Sequence, residues 1–119
     1  MTVPVLNPVD IETKIQQIAA RIHNGVTVVT AEERKAREAK HALDLAFAHA
    51  YLAHKGPAHE KRYAAEIATA EERHAFDVAE VSFKHAERTA RALSDELRAM
   101  QSVGASVRAM YQGERGYGG

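Results

Sequence analysis

Two pairs of residues in this sequence have types and spacing that suit a metal ion. Glu38 and His41 form one E-x-x-H pair, and Glu71 and His74 form another. Carboxylate and imidazole groups at this spacing hold metals between the helices of some four-helix bundles. At about 100° per residue, however, Glu38 and His41 lie opposite the apolar side of their helix, whereas His74 lies on an apolar stripe. The two pairs cannot point into one core, so we predict no metal site and no cofactor.

Positively charged residues offer a second chemistry, the binding of nucleic acid. Most arginines lie among acidic residues on predicted helices, which leaves open that they only form solvated ion pairs. Near the C-terminus, Arg108 and Arg115 share a segment with a single acidic residue, and Tyr117 could stack on unpaired bases. We predict a set of DNA-binding residues headed by these three: Arg108, Arg115, Tyr117, Arg88, Arg91, Arg34 and Arg37.

Motifs for catalysis are missing from the sequence. It contains no G-x-S-x-G, no phosphate-binding P-loop and no dinucleotide fingerprint. Because there is no cysteine, disulfides, thiolate metal sites and cysteine nucleophiles are excluded. We predict a protein that is not an enzyme and has no small-molecule substrate.

Length and composition limit the class of protein. The 119 residues are 45% hydrophobic and carry 16 basic and 16 acidic side chains, which fits one folded domain and removes the strongest electrostatic reason for a nucleic-acid or membrane partner. A local basic surface stays possible. No stretch approaches the roughly 18 apolar residues of a membrane span, and the first residues lack the pattern of a signal peptide. We expect a soluble, cytoplasmic protein without a membrane partner.

The first half of the chain predicts two helices. Asn7 followed by Pro8 is typical of a helix start, and isoleucines from Ile11 to Ile22 form one apolar stripe. A stop is expected at Asn24-Gly25, so this short helix spans about 8–24. An extended connector follows, and a capping box formed by Thr30 and Glu33 begins a second helix at about 31–55.

The second half predicts one long helix at about 58–110, because it has neither proline nor glycine up to Val103. This helix carries two apolar stripes with a phase change near 76–79, which resembles a stutter. The first stripe contains Tyr63, Ile67, Ala70, His74 and Val78, and the second contains Phe76, Ala79, Phe83, Ala86, Ala90, Leu93, Leu97 and Met100.

These elements predict an all-α fold: a short N-terminal helix and a long antiparallel hairpin whose third helix is extended and resembles a coiled coil. The far part of the third helix must be covered by the first helix or by another copy, and we favour a homo-oligomer. Its interface is predicted at Phe83, Leu93, Leu97, Met100 and Val107. The single helical domain covers 1–112, and the Gly-rich tail at 113–119 is expected to be flexible.

One segment carries a resemblance to known proteins. In residues 97–110, apolar Leu97 and Met100 precede Ser102 and Gly104, and Arg108 lies between two further apolar residues. This pattern resembles the C-terminal segment of small helical phage proteins of recombination and, more distantly, the UvsY recombination mediator family. The resemblance covers about 15 to 25 residues. It implies an oligomer that binds single-stranded DNA and helps load a recombinase where a single-strand-binding protein stands in the way.

The predicted function is therefore that of a phage-type accessory protein of homologous recombination. It is a non-enzymatic scaffold for single-stranded DNA in the cytoplasm of a bacterial host, with a recombinase or a single-strand-binding protein as a possible partner. The alternative is a small helical phage protein that binds a host protein through the stripe from Leu93 to Val107 and modulates it without contacting nucleic acid.

Overall fold

A computed structural model describes the backbone of residues 7–117 and the side chains of residues 7–113. Within this part the chain forms three helices and no strand: α1 spans Pro8–Ala53, α2 spans Ala58–Ala68 and α3 spans Ala70–Tyr117. The prediction of an all-α protein with a long third helix is confirmed.

Helix α1 replaces the first two predicted helices. The helix begins at the predicted residues, Asn7 and Pro8. The Oδ1 atom of Asn7 accepts a hydrogen bond of 2.9 Å from the backbone N–H of Asp10 and so caps the first turn. The stop at Asn24-Gly25, the connector and the capping box at Thr30 were wrong, because the helix runs through them and Gly25 has no positive φ.

The reason for this continuity is an apolar stripe that crosses the predicted stop. Less exposed positions recur every three or four residues through Ile22, Gly25, Val29 and Ala36. Packing along such a stripe outweighs the cost of about 1 kcal/mol for one glycine inside a helix. The chain therefore has no separate short N-terminal helix.

The predicted third helix is interrupted once, at Thr69. This residue has φ −109° and ψ 20°, and its buried hydroxyl donates a hydrogen bond of 2.7 Å to the carbonyl oxygen of Ala65. Such bonding back to the preceding turn bends helices. The phase change predicted near 76–79 was therefore wrong, since the break lies at Thr69 and the less exposed positions of α3 keep a regular spacing through Phe76 and Ala79.

The ends of the chain also differ from the predictions. Helix α3 continues to Tyr117, so the backbone of 113–117 is helical and the helix ends later than the predicted residue 110. Residues 1–6, Gly118 and Gly119 lie outside the described residues.

The chain divides into two compact units. The terminal unit combines Met1–Val26 with Arg88–Gly119, and the central unit is Thr27–Glu87. In the terminal unit α1 and α3 run antiparallel around buried Ile11, Ile18 and Leu93. The helices approach each other closely at Gly104, where a Cβ atom would lie 3.1 Å from Cγ2 of Ile11. The start of α1 thus covers the far part of α3, which is one of the two possibilities that the sequence left open.

The central unit has a core of small side chains. Its buried residues are Ala36, Ala65, Thr69 and Ala86. Near the turn between α1 and α2, the Nζ atom of Lys61 lies 5.6 Å from the centre of the Tyr51 ring. The central unit is therefore a hairpin with a narrow core, as expected for two alanine-rich helices.

Candidate nucleic-acid interface

Helix α3 exposes four arginines within the terminal unit: Arg88, Arg91, Arg98 and Arg108. Arg91 and Arg98 are seven residues apart, and two helical turns bring them to the same side of α3. Arg88 and Arg108 lie before and beyond them, about 30 Å apart along the helix axis, and at about 100° per residue they face nearly opposite sides of α3. The exposed Asp95 lies between Arg91 and Arg98 on their side. These four residues are called the arginine row below.

No member of the arginine row forms an ion pair with a carboxylate among the described residues. The ion pairs found there all belong to the central unit: Lys35–Glu32, Arg37–Glu33, His54–Glu60, Arg62–Glu66 and Lys84–Glu80. Several of the cations of the central unit are therefore neutralised by neighbours on the same helix. The arginine row instead presents its positive charge to the solvent.

The zero net charge of the chain hides a difference between the units. The terminal unit has seven Lys and Arg against five Asp and Glu, and the central unit has nine against eleven. The formal charges are therefore +2 and −2. An anionic ligand is attracted to the terminal unit.

The surroundings of Arg108 include polar and aromatic groups. A shallow cavity of about 470 Å³ is lined by Arg108, Gln101 and, from α1, Glu12, Ile15 and Gln16. A second depression joins Arg108 with Tyr111, Gln112 and Pro8. The guanidinium group and the exposed Tyr111 ring lie one helical turn apart, which is a suitable arrangement for a phosphate and its neighbouring base.

One residue of this surface, Tyr111, was missed in the sequence, and another, Arg98, lies on the same polar side as Arg88 and Arg91 but was not selected. Tyr111 could have been found if the helix had been expected to continue beyond residue 110, since it then follows Arg108 by one turn.

The predicted DNA-binding residues are not brought together in one place. Arg88, Arg91 and Arg108 lie in the terminal unit, whereas Arg34 and Arg37 lie in the central unit. Arg37 is paired with Glu33 at 2.8 Å, and both arginines line a depression that also contains Glu33, Glu38 and His41. The side chains of Arg115 and Tyr117 lie outside the described part of the structure.

The residues predicted for an interface between copies belong to the regularly spaced stripe of α3. Leu93 is only 7% exposed within the single chain. Phe83, Leu97, Met100 and Val107 are half-buried. The chain itself therefore covers Leu93, and a second copy is not needed to do so.

The two E-x-x-H pairs are exposed. Glu38, His41, Glu71 and His74 all face solvent. Among residues 7–113 there is no group of three or more His, Asp or Glu side chains placed to hold a metal ion.

Comparison with known proteins gives no relative. No protein-family model matches the chain, and neither a curated protein nor a solved structure matches it. In the described part of the chain no helix is long and apolar enough to cross a membrane.

Proposed function

We propose that this protein is a non-enzymatic helical scaffold that binds single-stranded DNA through the arginine row of the terminal unit. The observation that supports this function is the contrast in pairing: the described ion pairs lie in the central unit, and the arginine row has none. The resemblance of residues 97–110 adds the biological role, assistance in loading a recombinase during phage recombination in the cytoplasm of a bacterial host.

Binding on this surface follows from the chemistry of guanidinium and phosphate groups. Each arginine donates two parallel hydrogen bonds to phosphate oxygens, and a rigid helix keeps successive guanidinium groups at fixed separations. Such contacts position the strand without reading its sequence. Tyr111 offers a ring on which a base can stack. In an assembly of several copies, the weak contacts of each copy add through effective concentration.

Salt dependence measures the number of phosphate contacts. We expect the binding constant for an oligothymidylate, followed by fluorescence anisotropy, to fall as the salt concentration rises. Replacing Arg91→Gln together with Arg98→Gln removes two contacts, so the slope of log K against log salt should decrease in magnitude by about 1.4.

A matched control removes the same charge from the central unit. Arg37→Gln with Arg62→Gln deletes two arginines that already have carboxylate partners, and we expect its salt slope to stay that of the unaltered protein. The proposal is wrong if both double variants lose binding equally, if the unaltered protein fails to bind at low salt, or if a duplex of the same length binds more tightly.

A second candidate function is the binding of a host protein. The stripe from Leu93 to Val107 is poorly suited to this role because Leu93 is covered within the chain. Helix α1 instead exposes Leu45 and Leu52, one heptad apart, and a shallow depression of about 530 Å³ lies beside Leu45. This candidate is favoured if DNA binding is absent and Leu45→Asp with Leu52→Asp releases one identified host protein from the purified complex.

A further inference from the structure

The central unit leaves an apolar stripe uncovered on α2 and α3. The sequence of this half contains two apolar stripes. The stripe from Phe76 to Met100 contributes the regularly spaced, less exposed positions of α3, and the stripe from Tyr63 to Val78 faces solvent. Large side chains of this exposed face are Tyr63, Ile67, Val78 and Val81, which are between 53% and 78% exposed. We call Tyr63, Ile67, Ala70, His74, Val78 and Val81 the outer stripe. A contiguous apolar row of this kind is typical of a surface that binds another protein.

We propose that the outer stripe is a self-association surface on which a second copy docks in the antiparallel direction, with the two-fold axis at His74. The sequence positions support this arrangement because they are symmetric about His74. Ile67 and Val81 lie seven residues before and after it, and Ala70 and Val78 lie four residues before and after it. Antiparallel pairing thus places Ile67 on the second copy's Val81, as a self-complementary two-fold interface requires.

Charged residues along one flank of the outer stripe are symmetric about Ala75, one residue beyond the proposed axis. In sequence order these residues alternate in sign: Glu66, Arg73, Asp77 and Lys84. Antiparallel pairing about His74 brings each of them within about 3 Å of the level of an opposite charge on the second copy, Arg73 near Asp77 and Glu66 near Lys84. Arg73 and Asp77 are exposed and form no ion pair with each other in the single chain, so both can reach across. Exposed pairs add little energy, but they select the direction of docking.

The interruption at Thr69 does not divide the outer stripe. The backbone N–H of Thr69 donates to Ala65, and the N–H of Arg73 donates to Thr69, at 3.1 and 3.0 Å. The less exposed positions also keep a spacing of three or four residues across the break, through Ala65, Thr69, Glu72 and Phe76. Ile67 and His74 therefore stay on the same exposed side although α2 and α3 are separate helices. The inference is also independent of nucleic-acid binding, since the outer stripe lies in the central unit and the arginine row lies in the terminal unit.

The mass of the full chain in solution is the first test. We expect light scattering at about 100 µM, well above a micromolar dissociation constant, to give twice the 13.1 kDa chain mass. Ile67→Glu with Val81→Glu should return the mass to that of one chain. Both side chains are exposed, so helicity by circular dichroism should stay unchanged. Leu45→Glu with Leu52→Glu is the matched control from α1, and it should leave the mass doubled.

Cysteine cross-linking tests the direction of docking, because the chain has no cysteine of its own. His74→Cys lies on the proposed axis and should form a disulfide dimer under mild oxidation. Ile67→Cys alone should cross-link far more slowly, but Ile67→Cys combined with Val81→Cys should cross-link readily. A monomeric unaltered protein, a control variant that dissociates as fully as the test variant, or fast cross-linking of Ile67→Cys alone would each overturn the proposal.

Discussion

The terminal and central units are both built from antiparallel helices, yet they differ in the size of the side chains that they bury completely. The terminal unit buries the long aliphatic residues Ile11, Ile18 and Leu93. The central unit buries three alanines and Thr69, and exposes large residues such as Leu52 and Ile67. The charges differ too, since the five ion pairs of the described residues lie in the central unit and the arginine row of the terminal unit has none.

This contrast indicates that the two units have different roles. Burial of long side chains stabilises the terminal unit from within, so its outer surface is available for charge. Alanine removes less apolar area from water, and the central unit therefore gains less from its own core. Its larger apolar groups remain available for contact with another chain.

The largest expected effect tests the claim that long side chains stabilise the terminal unit. Leu93→Ala removes a side chain that is 7% exposed, and we expect the free energy of unfolding to fall by about 2 to 4 kcal/mol because a cavity replaces it. Urea denaturation followed by circular dichroism measures this change as a lower midpoint at constant slope.

The matched variant in the central unit is Leu52→Ala. This leucine is 77% exposed, so we expect a change within about 0.5 kcal/mol. Similar losses for Leu93→Ala and Leu52→Ala would contradict the contrast between the units.

Glycine-to-alanine substitutions in the terminal unit should change the free energy of unfolding by a smaller amount. Two helical glycines of this unit, Gly25 and Gly104, have different surroundings. At Gly104 an added Cβ atom would lie 3.1 Å from Cγ2 of buried Ile11, whereas at Gly25 nothing lies within 4 Å. We expect Gly104→Ala to lower the free energy of unfolding by about 1 kcal/mol, because overpacking exceeds the gain in helix propensity.

Gly25→Ala should have the opposite sign. Alanine restricts the unfolded chain and favours the helix, and no neighbour has to move, so we expect a gain of about 0.5 to 1 kcal/mol. Thermal unfolding of the two single variants checks both signs. A loss of stability in Gly25→Ala would mean that the helices lie closer at this level than the structure places them.

The all-α fold could be predicted from the sequence because the spacing of apolar residues along a helix depends only on residues that are close in sequence. The regular spacing through Phe83, Ala86 and Ala90 identified the less exposed side of α3. That α1 is a single helix could not be predicted, because Asn24-Gly25 is a pattern typical of a helix C-terminus. Only packing along the whole apolar stripe keeps the helix continuous there. The break at Thr69 was hidden for a similar reason, since threonine is an ordinary helix residue until its hydroxyl bonds to the preceding turn.

The candidate site was only partly predictable. Arg88, Arg91 and Arg108 were selected as basic residues, but the sequence could not tell which cations find carboxylates on the same helix and which do not. Arg37 and Arg91 look alike in the sequence, and only the structure separates the paired residue from the unpaired one.

Segments from both ends of the chain form the terminal unit, and this affects the order in which the two units fold. Ile11 and Gly104 meet although about 90 residues separate them, whereas the central unit is continuous and closes through one short turn. Loops that are long in sequence close late, so we expect the hairpin to nucleate near that turn and the terminal unit to form last. In stopped-flow experiments Leu93→Ala should then accelerate unfolding and leave the refolding rate almost unchanged.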